Sequence, residues 1–258
     1  MCPDSNLFEP TNPEEDLFAE SGGPHIFGAG SHICGTDTRG YATPDNFDEK
    51  ELVLHRTQGF IPLWRPNTTL RFRFSPTLYQ NFSKADKIIA WIRKILAEGI
   101  LDWGDAVPIG FREDHDLWDF EIIVAPSNCS PYGCTLARAF FPDSGRHTLT
   151  IFPELSKQSP QEQRETMAHE LGHIFGLRHF FAQVKEKKAP SVLFGKHSKF
   201  TIMNYGPNSR MTEQDQADLK LLYQSVWSGK LRHIGGTPIA LFYPYHKLGL
   251  KAIEQVEI

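Results

Sequence analysis

The sequence predicts a mixed α/β (α+β) fold, and three observations carry that expectation. Strand-like segments cluster in the middle of the chain, at 70–74, 107–111, 119–125, 135–141 and 147–152. A capped amphipathic helix interrupts them after the first. Two further helices with strong start signals follow the last.

Taken in order, residues 1–50 are rich in proline, glycine and acids and read as irregular. Leu70–Phe74 alternates apolar and basic residues, the pattern of a half-buried strand. Ser83 is the expected cap of KADKIIAWIRKILAE, with Asp86 three residues on and Gly99 as the stop. Ile88, Ile89, Ile92, Ile95 and Leu96 form its apolar face. The segments TLARAFF and HTLTIF make two strands joined by the turn PDSGR. Ser159, Pro160 and Glu162 then form a capping box with a first-turn proline, opening a helix that should end at Gly176. TIMNYGPN (201–208) reads as a turn, and Thr212 caps a closing helix with Leu219, Leu222 and Tyr223 on its apolar face. The last thirty residues look like an appended tail.

Composition narrows the function classes. At 40% hydrophobic and 22% charged residues the chain can bury a core, which excludes a wholly disordered protein. No stretch approaches the roughly 18 apolar residues of a membrane span. The net charge of −4 supplies no basic field for nucleic acid. That average hides an asymmetry: residues 1–50 carry ten acids and two bases, leaving 21 acids and 25 bases for the rest. The N-terminus has neither a basic start nor an apolar run, so no signal peptide is expected; the chain stays in the cytosol, has lost a signal, or leaves by another route. Cys129 and Cys134 either bridge locally or remain two reduced thiols. Asp114, Asp116 and Asp119 form a cluster with the composition of a weak Ca²⁺ site, against the simpler reading of a solvated loop.

The chemistry concentrates in His169-Glu170-Leu171-Gly172-His173-Ile174-Phe175-Gly176-Leu177-Arg178-His179. Histidines four apart on a helix project from one face and can grip one cation. Glu170 follows the first of them, placed to work on a water without binding the metal itself. Gly176 turns the chain so that His179 returns as a third ligand. Three protein ligands leave one tetrahedral position open, the mark of a catalytic rather than a structural Zn²⁺ site. Chance would give these five fixed residues about once in ten thousand chains of this composition.

This stretch resembles the zinc motif of the metzincin clan of metallopeptidases. Met203, 24 residues after His179, fits the clan's methionine turn, and Tyr205 matches the M-x-Y of its astacin- and serralysin-like members. The resemblance implies a twisted mixed sheet with one antiparallel edge strand, an active-site helix and a C-terminal helix around a zinc cleft. By the same resemblance Tyr205 is a fifth zinc ligand or an oxyanion donor, against the alternative of a packing tyrosine. Leu136, Ala137, Arg138, Ala139 and Phe140 resemble the matrixin edge strand that pairs with extended substrate, with Arg138 where matrixins carry a zinc-binding histidine. Cys34 in C-G-T-D resembles part of the matrixin cysteine switch, but the preceding Pro-Arg and the later proline are missing.

Together these readings divide the chain into an acidic leader (1–54), which would act as a pro-segment, a catalytic domain (55–228) and a tail (229–258). They imply a monomeric zinc endopeptidase acting on protein or peptide substrate, with one catalytic Zn²⁺ and no nucleic-acid or membrane partner. Two alternatives stand beside it. One is a zinc-binding module whose leader blocks the cleft; the other is a toxin or effector protease working inside a recipient cell.

Overall fold

The computed structural model describes residues 7–8, 32–33, 52–55, 59–130, 133–179, 191–194, 201–203 and 210–248. In chain order the strands are β1 (His32–Ile33), β2 (Leu52–His55), β3 (Ile61–Trp64), β4 (Thr69–Phe74), β5 (Gly110–Glu113), β6 (Phe120–Val124), β7 (Cys129–Ser130) and β8 (Gly133–Thr135). They continue with β9 (Ala137–Arg138), β10 (His147–Ile151), β11 (Ser191–Phe194), β12 (His233–Ile234) and β13 (Thr237–Phe242). The helices are α1 (Thr77–Asn81), α2 (Ala85–Trp103), α3 (Pro160–Ile174) and α4 (Glu213–Trp227).

The main sheet has the order β5-β4-β6-β10-β9. β4 runs parallel to β5 and β6, and β10 parallel to β6. Only β9 is antiparallel, at the end of the sheet, with Thr150 opposite Arg138 and Ile151 opposite Ala137. The mixed α/β architecture with one antiparallel edge strand is therefore the one expected. β4 alternates as its sequence requires: Leu70, Phe72 and Phe74 are buried, while Arg71 and Arg73 stay half-exposed. Phe72 stacks on Phe120 across the β4–β6 pair, at 5.6 Å between ring centres.

α2 buries the expected face (Ile88, Ile89, Ile92, Ile95 and Leu96), but both of its ends differ from expectation. The cap is Lys84 rather than Ser83, because the short helix α1 and Phe82 occupy the chain just before it. Gly99 is not the stop. The helix continues to Trp103 and ends at Gly104, which takes φ +55°. Gly99 instead sits where α2 crosses α3: a Cβ there would lie 3.0 Å from the Ala168 backbone nitrogen and 3.1 Å from Met167 Cγ. Trp103 closes the crossing by donating its indole N–H to Ala168 O at 2.8 Å.

β1 runs parallel to β8, His32 opposite Cys134 and Ile33 opposite Thr135, and β7 completes that small sheet. The two cysteine alternatives resolve to a bridge: Cys129 and Cys134 form a disulfide across the β7–β8 hairpin. Nearer the C-terminus, β13 pairs parallel with β3 from Ile239 opposite Ile61 to Phe242 opposite Trp64. His246 beyond it is buried against Asp119, with its Nδ1 2.9 Å from Oδ2. Among the described residues no helix is long and apolar enough to cross a membrane.

Candidate metal centre

α3 begins as its sequence specifies. Ser159 accepts a hydrogen bond from the Glu162 backbone N–H, Glu162 returns one to the Ser159 N–H, and Pro160 fills the first turn. From Thr166 to Ile174 every residue is buried, including His169, Glu170 and His173. The helix ends in a Schellman turn. The Gly176 N–H donates to His173 O and the Leu177 N–H to Gly172 O, both at 2.9 Å, with Gly176 at φ +94°. The last carbonyls are capped by side chains of other elements: Trp64 Nε1 donates to Ile174 O at 2.7 Å and the Tyr223 hydroxyl to Phe175 O at 3.0 Å. Burial raises the Tyr223 phenol well above its ordinary value, so it stays a neutral donor.

This turn brings His179 back over the helix. The Nε2 atoms of His169 and His179 are 3.2 Å apart, as are those of His173 and His169. All three side chains are buried, at 5%, 0% and 0% exposure for His169, His173 and His179. Two of the three have their outward nitrogens tied to backbone carbonyls: His169 Nδ1 to Ile202 O and His173 Nδ1 to Leu177 O, each at 2.8 Å. A carbonyl only accepts, so each Nδ1 carries the proton and each Nε2 presents a lone pair inward. Lone pairs at that spacing in a buried site could be shared by one cation. Tetrahedral Zn²⁺ with Zn–N bonds of about 2.0–2.1 Å sets its ligand nitrogens roughly 3.3 Å apart, so the observed spacing fits that ion. Among the described residues this trio is the group that could hold a metal ion.

Met203 lies beneath the helix. A Cβ on Gly172, the residue before His173, would run into Met203 Sδ and come within 3.2 Å of its Cε. The turn 201–203 is held by Asp215, whose carboxylate accepts from the Thr201 hydroxyl, from the Ile202 N–H at 3.3 Å, and from the Thr212 N–H and hydroxyl at 3.0 and 2.7 Å. Burial pushes the Asp215 carboxyl above the usual range, and these donors oppose the shift. Asp215 thus has two tasks, completing the α4 capping box with Thr212 and fixing the turn that orients His169. The sequence marked Thr212 as the cap, but nothing local marked Asp215 as the anchor of the turn.

The edge-strand residues sit beside the centre. Leu136, Ala137, Ala139 and Phe140 are buried while Arg138 is exposed, and regular pairing is confined to Ala137–Arg138 within the longer expected strand. Phe141, just beyond, sets its ring edge-on to His173 at 5.5 Å, so this segment leads directly to the histidine trio. Tyr205 and Cys34 lie outside the described residues. The aspartate cluster does not converge on a cation. Asp114 accepts from the N–H groups of Asp116 and Leu117 and pairs with Arg71, while Asp119 is taken by His246 and the Arg71 N–H.

Neither a family model nor a curated protein matches the chain. Among solved structures, that of myroilysin is similar, with a TM-score of 0.43 and 13% identity over 66% of this chain and 98% of the other. A likeness that loose leaves the chemistry to be read from the site itself.

Proposed function

We propose that the chain is a zinc-dependent endopeptidase of metzincin type. One observation carries the reading: three buried imidazoles converge at zinc-ligand spacing, two from α3 and one from the chain just after it, and a buried glutamate, Glu170, follows the first of them. His169, His173 and His179 would hold the ion, which when bound supplies Lewis acidity toward a water and the scissile carbonyl. Glu170 takes the proton of the attacking water and hands it to the leaving amine. Met203 supports the floor of the site, and Tyr205 assists from the turn below. Substrate lies extended along Leu136–Phe140 as an added strand, so its internal bonds reach the site without a chain end.

A second reading concerns the leader. β1 lies along β8, and the chain of β8 continues into the edge strand within two residues. That neighbourhood favours a leader lying along the edge that substrate would use, with Cys34 as the inhibitory thiol.

One experiment addresses both. Hydrolysis of a peptide library is measured with the full chain, a chain trimmed to residue 55, and Glu170→Ala in each. Glu170→Ala should bind zinc as the parent does and lose about 10²- to 10⁴-fold in rate; undiminished hydrolysis refutes its role. Trimming should raise the rate, and an unchanged rate removes the leader from the mechanism.

A further inference from the structure

Behind His169 the structure continues inward through groups whose proton directions are all determined. Asp215 is buried at 2% exposure, and with the Ile202 N–H, the Thr212 N–H and the Thr212 hydroxyl all directed at its Oδ2, its carboxyl serves as the acceptor. The Thr201 hydroxyl therefore gives its proton to Asp215 Oδ1. Its oxygen is then free to accept the Met203 N–H at 3.2 Å, a reach of two residues that suits a threonine turn. That N–H shares a peptide unit with Ile202 O, which accepts the His169 Nδ1 proton at 2.8 Å. Every donor in the series points from the histidine toward the carboxylate. Hydrogen bonds aligned in this way polarise one another, and the effect is stronger in a low-dielectric interior.

We propose that Asp215 and Thr201 are positioning residues for His169, acting through this carboxylate–hydroxyl–peptide–imidazole relay. The inference rests on the metal-site reading above. A histidine ligand backed directly by a carboxylate gains basicity and a fixed orientation. Here the same negative charge is delivered through a hydroxyl and one peptide group, with no carboxylate touching the ring. The second oxygen of Asp215 holds the Ile202 N–H, so the turn can neither slide nor rotate its carbonyl away from His169.

The test compares the full chain with Thr201→Val, which keeps the shape and removes the hydroxyl, and with Thr201→Ser, which restores it. Zinc affinity is read by competition with a chromogenic chelator, ligand geometry from the visible spectrum of the Co²⁺ form, and folding from the melting of the metal-free chains. Thr201→Val should bind zinc about tenfold more weakly and shift the cobalt bands, while Thr201→Ser stays within about twofold of the parent. A purely structural role would lower melting and leave the folded protein's affinity and cobalt spectrum unchanged; that result overturns the relay. Should the valine variant not fold, the parent decides. Its Thr201 hydroxyl proton should give a slowly exchanging resonance in contact with the Met203 amide, and a freely exchanging proton overturns the proposal. A parent chain that binds no zinc removes the site and the relay together, an outcome separate from intact binding that is indifferent to residue 201.

Discussion

Gly172 occupies one of the unspecified positions of the zinc motif, yet its missing side chain lets Met203 reach the helix floor. An added methyl group meets Met203 Sδ on one side and Trp103 Cζ2 at 3.3 Å on the other, and both side chains are buried. The sulfur is mid-chain and cannot swing aside as a terminal atom would. Gly172→Ala should therefore cost about 1–3 kcal/mol by overpacking, despite alanine's better helix propensity. It should also weaken zinc binding, because Met203 follows Ile202, whose carbonyl orients His169. Thermal melting and a zinc titration check both; an unchanged melt would mean the floor has slack. The histidines and Glu170 were legible in the sequence because spacing alone puts two of them on one face. Gly172, Thr201 and Asp215 were not, because the partners that give them these roles lie 13 to 69 residues away along the chain, across a packed interface.

At the scale of elements, the centre depends on how closely α2 crosses α3. A glycine near a helix end reads as a terminator, so Gly99 was expected to stop α2, but the helix passes through it. The backbone of Ala168, one residue before His169, lies where a side chain at 99 would go. Propensity alone says that Gly99→Ala stabilises an interior helical position by about 1 kcal/mol. The crossing says the opposite, because a backbone nitrogen 3.0 Å from the new Cβ cannot yield without moving α3. Net destabilisation in urea unfolding is expected, with weaker zinc binding; a gain in stability would show that the helices can separate freely. The N-terminal caps of α3 and α4 were legible because each is a four-residue event. The end of α2 was not, since it depends on a surface supplied by another helix.

Over the whole molecule, charge ties the helices to the sheet rim. Arg93 on α2 makes two bonds to Glu113 on β5, Nε to Oε2 at 2.8 Å and Nη2 to Oε1 at 2.7 Å. The guanidinium holds the Glu113 carboxyl below its ordinary 4.5. A carboxyl lowered in the folded state contributes stability above its unfolded value and loses it as pH falls through the lower folded one. Arg93→Ala should thus cost up to about 1 kcal/mol at neutral pH, since half the arginine is exposed, and nearly nothing well below pH 4.5. Melting curves of both proteins across that range check it, and a pH-independent difference would assign the loss to packing.

By itself the sequence determined the mixed α/β class, the order of the central strands along the chain, the start and stop of α3 and the three histidines that converge. Each follows from interactions within a few residues, where periodicity, caps and ligand spacing act. The tertiary structure alone decided which histidine nitrogens face inward, that Met203 lies against Gly172, and that Asp215 underpins the turn. It also decided that 233–246 adds a strand to β3 and a buried histidine to Asp119. Those features depend on hydrogen bonds and contacts between segments far apart in the chain. Local pattern leaves them open because the free energy that selects them appears only when the distant surfaces meet.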